Sequence, residues 1–128
     1  MSNNKNKILL IEDEHEMAQM YKDKFLESGF NIRVAFTVKD GLKKAKKETP
    51  DLIVLDILLS VDSGISFLKK MRQDPEIAEI PVVALSNYDE PKTKKQAFKL
   101  GVKNYLLKTN FTPKTLVEEI KKYLPSKN

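Results

Sequence analysis

The sequence predicts a doubly wound α/β domain with a central parallel sheet, and three observations support this fold class. Short apolar runs such as Ile8–Ile11 and Leu52–Leu55 are typical of strands buried on both faces. Amphipathic stretches with helical spacing alternate with these runs along the whole chain. The length of 128 residues is that of one ordinary domain. We therefore predict one domain over 7–124, a disordered tail over 1–6 and a polar tail over 125–128.

Each strand is predicted from a run of apolar or β-branched residues bounded by turn or helix signals. The predicted strands lie near Lys7–Glu12, Asn31–Ala35, Leu52–Asp56, Pro81–Ser86 and Asn104–Leu107. Strict alternation with helices and right-handed crossovers favours a sheet in the order 2-1-3-4-5.

Capping signals bound the first two helices. The first is predicted from about Glu14 to Ser28, with Gly29 supplying a left-handed cap. The second begins after Thr37, an N-cap residue, and ends before Pro50.

The other three helices follow from the same signals. The third begins after Gly64 and buries a stripe made of Ile65, Leu68 and Met71. The fourth has Pro91 in its first turn and the fifth begins at Thr112-Pro113; the glycine at position 101 closes the fourth.

Acidic residues follow two strands that are neighbours in this sheet order. Glu12 and Asp13 come after the first strand, and Asp56 ends the third. Ligands of open α/β sheets bind at the carboxyl ends of the strands, where the strand order reverses, and that point lies between strands 1 and 3. Three carboxylates this close repel one another unless a hard cation lies between them, so we predict a site for Mg²⁺ or Mn²⁺.

Two further residues join this pocket. Ser86 ends the fourth strand and Lys108 follows the fifth. A nucleophilic carboxylate, a metal, a lysine and a hydroxyl are the parts needed to accept and hold a phosphoryl group. An alternative stays open, because strand-end acids often only cap helices, and Asp13 or Glu14 could cap the first helix. His15, the single histidine, is expected to be a solvated side chain without a catalytic role.

Composition excludes several function classes. The chain has no cysteine, which rules out disulfides and thiolate sites, and no apolar run approaches the roughly 20 residues that span a bilayer. The N-terminus lacks the apolar stretch of a secretion signal, so we expect a cytoplasmic protein without membrane association.

The net charge of +5 raises the question of a nucleic-acid partner. Arginine, the usual reader of phosphates and bases, occurs only as Arg33 and Arg72, so the sequence argues against such a partner and favours solvated helix faces. Paired lysines are spread over several predicted helices: Lys43-Lys44, Lys46-Lys47, Lys69-Lys70, Lys94-Lys95 and Lys121-Lys122.

The order and spacing of these motifs closely resemble the receiver domain of two-component response regulators, the CheY-like family, over essentially the whole chain. The resemblance implies a flavodoxin-like (βα)5 sandwich. The matching motifs are Glu12-Asp13, Asp56 with Gly64 eight residues on, Ser86 in Ala84-Leu85-Ser86, and Lys108 in Tyr105-Leu106-Leu107-Lys108.

The resemblance implies that Asp56 accepts a phosphoryl group from a phosphohistidine on a sensor histidine kinase or a histidine phosphotransfer protein. It implies that Asp13 binds Mg²⁺ directly and Glu12 binds it largely through water. Asp56 itself and the backbone carbonyl of Leu58 would complete the protein ligands. Lys108 would pair with Asp56 or with a phosphoryl oxygen.

The resemblance also assigns a switch. Ser86 would donate its hydroxyl to the phosphoryl group, and Tyr105 would rotate into the space vacated by the moving loop. This rotation would reshape the face of the fourth helix, fifth strand and fifth helix, where a downstream protein binds. Leu58 and Tyr88 occupy the positions that tune phosphoryl lifetime, and their bulk without a carboxylate or amide predicts slow autodephosphorylation.

Three positions depart from the family pattern. Thr109 and Ser60 stand where the family commonly has proline, and Asn87 stands where it commonly has alanine. Without proline after Lys108, the loop is either strained or joined by a trans bond and arranged differently.

We therefore expect a stand-alone signalling receiver, monomeric or dimeric on phosphorylation, that catalyses only its own Mg²⁺-dependent phosphorylation and dephosphorylation. Two alternatives remain. One is a phosphorylation-independent pseudo-receiver. The presence of all of Glu12, Asp13, Asp56 and Lys108 argues against it. The other is an aspartate-nucleophile phosphatase of the haloacid dehalogenase type, which carries a second aspartate where this chain has Leu58.

Overall fold

A computed structural model describes residues 6–59 and 63–125, and it confirms the doubly wound α/β fold over them. All adjacent strands are parallel, in the predicted order 2-1-3-4-5. The strands are β1 Lys7–Ile11, β2 Asn31–Ala35, β3 Leu52–Asp56, β4 Val82–Ser86 and β5 Asn104–Leu107.

Helices connect the strands as predicted. None of the helices within the described ranges is long and apolar enough to cross a bilayer. The helices are α1 His15–Glu27, α2 Val38–Glu48, α3 Gly64–Arg72, α4 Pro91–Lys99 and α5 Pro113–Ile120, with short 3-10 turns at Lys108–Asn110 and Lys121–Tyr123.

The helices form one layer on each side of the sheet. On one side, α1 and α5 pack against the sheet through residues such as Phe25 and Val117. On the other side, α2, α3 and α4 do so through residues such as Ala45, Phe67 and Ala97. Both faces of the sheet are therefore covered, which is why the strands are continuous apolar runs.

The capping signals lie where the sequence predicted them. Thr37 accepts a hydrogen bond from the backbone N–H of Asp40 at 3.0 Å, which begins α2. Thr112 and Thr115 form a reciprocal capping box at the start of α5. Gly29 has a φ of 88°, the left-handed conformation that ends α1.

Some predicted boundaries differ from those observed. β1 ends at Ile11 rather than Glu12, although the Glu12 N–H still donates to the Ala35 carbonyl at 3.0 Å. Pro81 lies outside β4 because it has no N–H to donate, while its carbonyl accepts from the Ile53 N–H at 2.9 Å. In α3, the buried stripe includes Phe67, which is fully buried, whereas Ile65 is only partly buried.

The predicted tails fall mostly outside the described residues, which exclude 1–5 and 126–128. Asn6, predicted within the N-terminal tail, is described, and its carbonyl accepts from the Asn31 N–H at 3.0 Å. Ser60 also lies outside the described residues.

Arg72, one of the two arginines, connects backbone segments at the end of the sheet opposite the predicted site. The Arg72 guanidinium donates to the carbonyls of Leu100 and Ala78 at 2.8 and 2.6 Å, and to those of Ile80 and Gly101 at 3.2 Å each. Burial lowers the pKa of Arg72. The side chain therefore ties the end of α3 to the end of α4 and is a structural residue.

Candidate phosphoacceptor and metal site

The carboxyl ends of β1 and β3 bring three carboxylates together. One oxygen each from Glu12, Asp13 and Asp56 lies within 4.8 Å of the other two. The Glu12 side chain is fully buried, and Asp56 is only 4% exposed. Oxygen donors this close are the ligands that Mg²⁺ prefers, so the residues fit the predicted metal.

Lys108 lies in the turn directly after β5 and reaches into this cluster. Its Nζ donates to Oε1 of Glu12 at 2.6 Å and to Oδ2 of Asp56 at 3.2 Å. The Lys108–Thr109 peptide bond is trans, since the described residues contain no cis bond. The lysine therefore reaches the acids although Thr109 replaces the family's proline.

The electrostatics of the cluster follow from its burial. Burial, followed by the negative charge of Glu12, raises the pKa of Asp56 to about 7, against the opposing charge of Lys108. Burial on its own lowers the pKa of Lys108, but its bond to Glu12 and the charges of both acids outweigh burial and raise that pKa. The Lys108 ammonium therefore stays charged, and the Asp56 carboxylate has an increased affinity for a proton.

The backbone around Asp56 is closely packed. The Leu58 N–H donates to Asp56 Oδ1 at 3.1 Å, and this orients the carboxylate. A Cβ added at Gly64 would lie 2.7 Å from the Ile57 Cα and 2.8 Å from the Asp56 carbonyl oxygen. The spacing of Asp56 and Gly64 in the sequence motif thus has a steric cause, because α3 begins against the backbone at the end of β3.

Ser86 ends β4, and its hydroxyl is held in a local turn. It donates to the Tyr88 carbonyl at 2.9 Å and accepts from the Tyr88 N–H at 3.1 Å. The hydroxyl must therefore give up its bond to the Tyr88 carbonyl before it can donate to another group.

Tyr105, the predicted switch residue, is already buried. It is 6% exposed and packs in the core between the sheet and the layer of α2, α3 and α4. The inward position of this side chain therefore coexists with the Ser86 to Tyr88 hydrogen bonds.

Two large apolar side chains stand on the loops around the site. Leu58 is 50% exposed and Tyr88 is 66% exposed. Asn87, another position that departs from the family pattern, is also exposed. Neither Leu58 nor Tyr88 carries a carboxylate or an amide.

Glu14, one of the two acids that could cap α1, does not cap it with its side chain. Glu14 takes the N-cap position of α1, but its side chain makes no capping hydrogen bond. Its N–H instead donates to Oε2 of Glu12 at 3.2 Å.

His15 is exposed as predicted, but it is also stacked on Phe36, with ring centroids 3.9 Å apart.

Sequence reasoning missed the contact between Glu12 and Lys108. These residues are 96 positions apart, and the predicted strand order places both at one edge of the sheet. That order does not determine which carboxylate the lysine meets, and the family resemblance implied only Asp56 or a phosphoryl oxygen.

Comparison with known proteins identifies the family. The model of the response regulator receiver domain matches residues 8–121. The chain belongs to this family. It is 33% identical over 118 residues to the alkaline phosphatase synthesis transcriptional regulatory protein PhoP of Bacillus subtilis. It is 32% identical over 115 residues to the phosphate regulon transcriptional regulatory protein PhoB of Escherichia coli.

The matches cover these proteins to different extents. They include 92% of this receiver chain but 48% of PhoP, and 90% of it but 50% of PhoB, so the chain spans about half the length of these relatives. Among solved structures, the chemotaxis response regulator CheY4 of Vibrio cholerae matches with a TM-score of 0.85 and 26% identity. That match covers 94% of this chain and 99% of CheY4.

Proposed function

We propose that this receiver accepts a phosphoryl group on Asp56 from a phosphohistidine of a sensor histidine kinase or a histidine phosphotransfer protein. In this step, an Asp56 carboxylate oxygen forms a bond to phosphorus while the bond from phosphorus to the histidine nitrogen breaks. The observation that carries the proposal is the contact of Asp56 with Lys108 within the acidic cluster. The Leu58 N–H supports it by fixing the orientation of the nucleophile.

Asp13, Asp56 and the Leu58 backbone carbonyl are the residues that we propose to hold Mg²⁺ or Mn²⁺, with Glu12 acting through water. When bound, the metal supplies positive charge to the phosphoryl oxygens as they approach a carboxylate. The clustered oxygens of the three acids support this assignment.

Lys108 and Ser86 are proposed to hold the phosphoryl group after transfer. Lys108 exchanges its bond to Asp56 for one to a phosphoryl oxygen and keeps its bond to Glu12. The Ser86 hydroxyl leaves the Tyr88 carbonyl and donates to another phosphoryl oxygen. Because Tyr88 is bonded to Ser86 on both its N–H and its carbonyl, this exchange changes the loop that leads into α4.

The output is a change in protein–protein contacts on the face formed by α4, β5 and α5. The loop that begins after Ser86 leads directly into α4. Tyr105 on β5 lies in the core between the sheet and the layer formed by α2, α3 and α4. Phosphorylation would shift the population between two packings of this face rather than create a new one.

Acetyl phosphate with Mg²⁺, followed by intact mass, tests the proposal. We expect one phosphoryl adduct on the native chain, and none on Asp56→Asn or after chelation of the metal. Asp51→Asn is the matched control, since Asp51 directly precedes β3, at the end opposite the site, and binds the Lys7 N–H. Loss of labelling in the Asp51→Asn control, or an adduct that persists in Asp56→Asn, would contradict the assignment. Steady hydrolysis of phosphate esters would indicate a phosphatase instead.

A further inference from the structure

The helix α4 and the turn after it carry lysines without acidic residues. The segment 91–103 contains five lysines and no aspartate or glutamate. Lys94 is partly buried, and the others are exposed together with the aromatic ring of Phe98, which is 43% exposed. We call the exposed set the α4 lysine surface: Lys92, Lys95, Lys99, Lys103 and Phe98.

On other helices, several lysines pair with a nearby acid. On α2, Lys44 pairs with Asp40 at 2.7 Å, one helical turn away. Within 6–59 and 63–125, the four lysines of the α4 lysine surface make no ion pair, and on α4 only Lys94 approaches an acid, Asp89, at 3.9 Å. The exposed lysines of α4 are spaced by three and four residues, so neighbouring like charges repel one another along the helix.

Phe98 adds an apolar contact among these charges. It follows Lys95 by three residues and precedes Lys99 by one, so it lies beside the same stripe of lysines. Interfaces commonly combine an exposed aromatic ring with a charged border, whereas a face that is merely solvated does not need the ring. A partner that fits this surface therefore offers acidic side chains around an apolar one.

A second copy of this chain does not offer that chemistry. A two-fold interface places the same patch on both subunits, so the lysines of one α4 would face the lysines of the other. On α5, the exposed acid is Glu118, since Glu119 is bonded to Lys122 and Tyr123. Together with Asp89 and Glu90 before α4, this face has three exposed acids, fewer than the four lysines of the α4 lysine surface, to which α5 and the turn after it add Lys114 and Lys121. The absence of arginine from segment 91–103, together with the exposed ring, favours an acidic protein over a nucleic acid.

The packing of α4 allows this surface to respond to the site. Ala97, near the C-terminal end, is the single buried residue of α4, and the Arg72 bond to Leu100 fixes that end. The N-terminal turns have no buried residue and follow the loop that is bonded to Ser86. A change at Ser86 can therefore tilt the lysine-bearing turns without disrupting the core.

From these observations, we infer that the α4 lysine surface docks an acidic segment of a separate partner protein, with an apolar side chain of that segment against Phe98. The inference rests on the proposed function, because it names the partner chemistry of the face that phosphorylation would alter.

A fluorescein-labelled peptide of glutamates with one central leucine is the probe for this surface. Its anisotropy is measured against the native chain at physiological salt, with and without Mg²⁺ and beryllofluoride. The test variant is Lys95→Glu with Lys99→Glu, and the matched control is Lys43→Glu with Lys47→Glu on α2. Both pairs are exposed lysines four residues apart on a helix, so the two variants change the net charge equally.

We expect the α4 variant to weaken peptide binding by about tenfold, the α2 variant to leave it within about twofold, and beryllofluoride to change the native affinity. Replacing the leucine by glutamine should also weaken binding. Equal losses in both variants would indicate non-specific charge attraction and overturn the inference. Self-association of the native chain through α4 would also overturn it. The same holds if a DNA duplex of equal charge binds more tightly than the peptide and depends in the same way on Lys95 and Lys99.

Phosphorylation of the same protein variants is measured separately, by intact mass after incubation with acetyl phosphate and Mg²⁺. If Asp56 takes up the phosphoryl group in every variant while peptide binding fails, only the partner assignment is wrong. If the native chain takes up no phosphoryl group, the proposed function itself fails.

Discussion

Lys108 donates its shortest hydrogen bond, 2.6 Å, to Glu12, and its bond to Asp56, the proposed phosphoacceptor, is longer, at 3.2 Å. Two buried carboxylates thus share one ammonium, with Asp13 close by. Removing one partner of a buried ion pair is costly because the other charge is left without compensation. The lysine is therefore both a structural counter-ion and a candidate ligand of the phosphoryl group.

Replacing Lys108 by methionine should lower the free energy of unfolding by about 3 kcal/mol in the presence of a chelator. The reason is that Glu12 and Asp56 would remain buried without a positive partner. Mg²⁺ should recover part of this loss, because the cation takes the place of the ammonium charge. Urea unfolding with and without Mg²⁺ measures both effects.

The matched control is Lys103→Met, which removes an exposed lysine just before β5, at the end of that strand opposite the site. Its free energy of unfolding should stay within about 0.5 kcal/mol of the native value. If Lys108→Met were as stable as this control without metal, the buried ion pairs would not contribute to folding.

The raised pKa of Asp56 predicts a pH-dependent stability. Since this pKa is about 7 in the folded chain and near 4 when unfolded, the folded chain binds more protons between these values. Without metal, the free energy of unfolding should therefore fall as the pH rises from about 4 to about 7, by up to about 4 kcal/mol. Chemical unfolding in a chelator at a series of pH values measures the slope.

Asp56→Asn removes this titration, so its unfolding free energy should change less steeply over the same pH range. The variant should also be more stable than the native chain at pH 8 without metal. Asp23→Asn on α1 controls for the loss of one carboxylate and should follow the native curve. Parallel curves for the native chain and Asp56→Asn would mean that burial does not raise this pKa.

Much of the fold could be predicted from local sequence signals. The run Leu52–Leu55 is fully buried because apolar residues in an unbroken row suit a strand covered on both faces. Thr37 and Thr112 begin helices because a hydroxyl satisfies a free backbone N–H. The strand order then brought Glu12 and Asp56 to one edge, which made the acidic cluster predictable.

The rest depends on contacts that the sequence does not encode locally. The choice of Glu12 by Lys108 depends on side-chain conformations at residues 96 positions apart. The Ser86 hydroxyl could donate either to a phosphoryl group on Asp56 or to the backbone of its own loop. The observed acceptor is the Tyr88 carbonyl, which belongs to that loop. The need for glycine at position 64 appears only when the Ile57 backbone is in place beside α3.

This close approach gives a direct prediction for Gly64→Ala. The new Cβ would meet backbone atoms of Asp56 and Ile57, which cannot move aside without shifting β3. We expect a loss of about 1–3 kcal/mol in unfolding free energy and slower labelling by acetyl phosphate, because the phosphoacceptor moves with its strand.

Gly41→Ala is the control for crowding alone. There, the added Cβ would lie 2.7 Å from Cδ1 of Ile11, the flexible end of a side chain. Alanine is also more favourable than glycine in a helix interior, by about 1 kcal/mol. The net change in unfolding free energy should therefore be small, and labelling by acetyl phosphate should be unaffected. Equal effects of the two variants would show that contact with the Asp56 strand is not what requires glycine at 64.

The exposed side chains of Leu58 and Tyr88 predict a long-lived phosphoryl group. Neither carries a carboxylate or an amide to orient an attacking water, and both are bulky and stand exposed at the loops around the site. The double variant Leu58→Asn with Tyr88→Glu should therefore lose its phosphoryl group about tenfold faster, a barrier change of about 1.4 kcal/mol. The chain is phosphorylated with acetyl phosphate, the donor is removed, and the adduct is followed by intact mass. Leu26→Asn with Met20→Glu makes similar changes at exposed positions on α1, so its rate should equal the native rate. Because Ser86 is bonded to the backbone of Tyr88 and not to its side chain, the loop conformation should persist in the double variant. An unchanged rate of phosphoryl loss would therefore mean that Leu58 and Tyr88 have no role in phosphoryl lifetime.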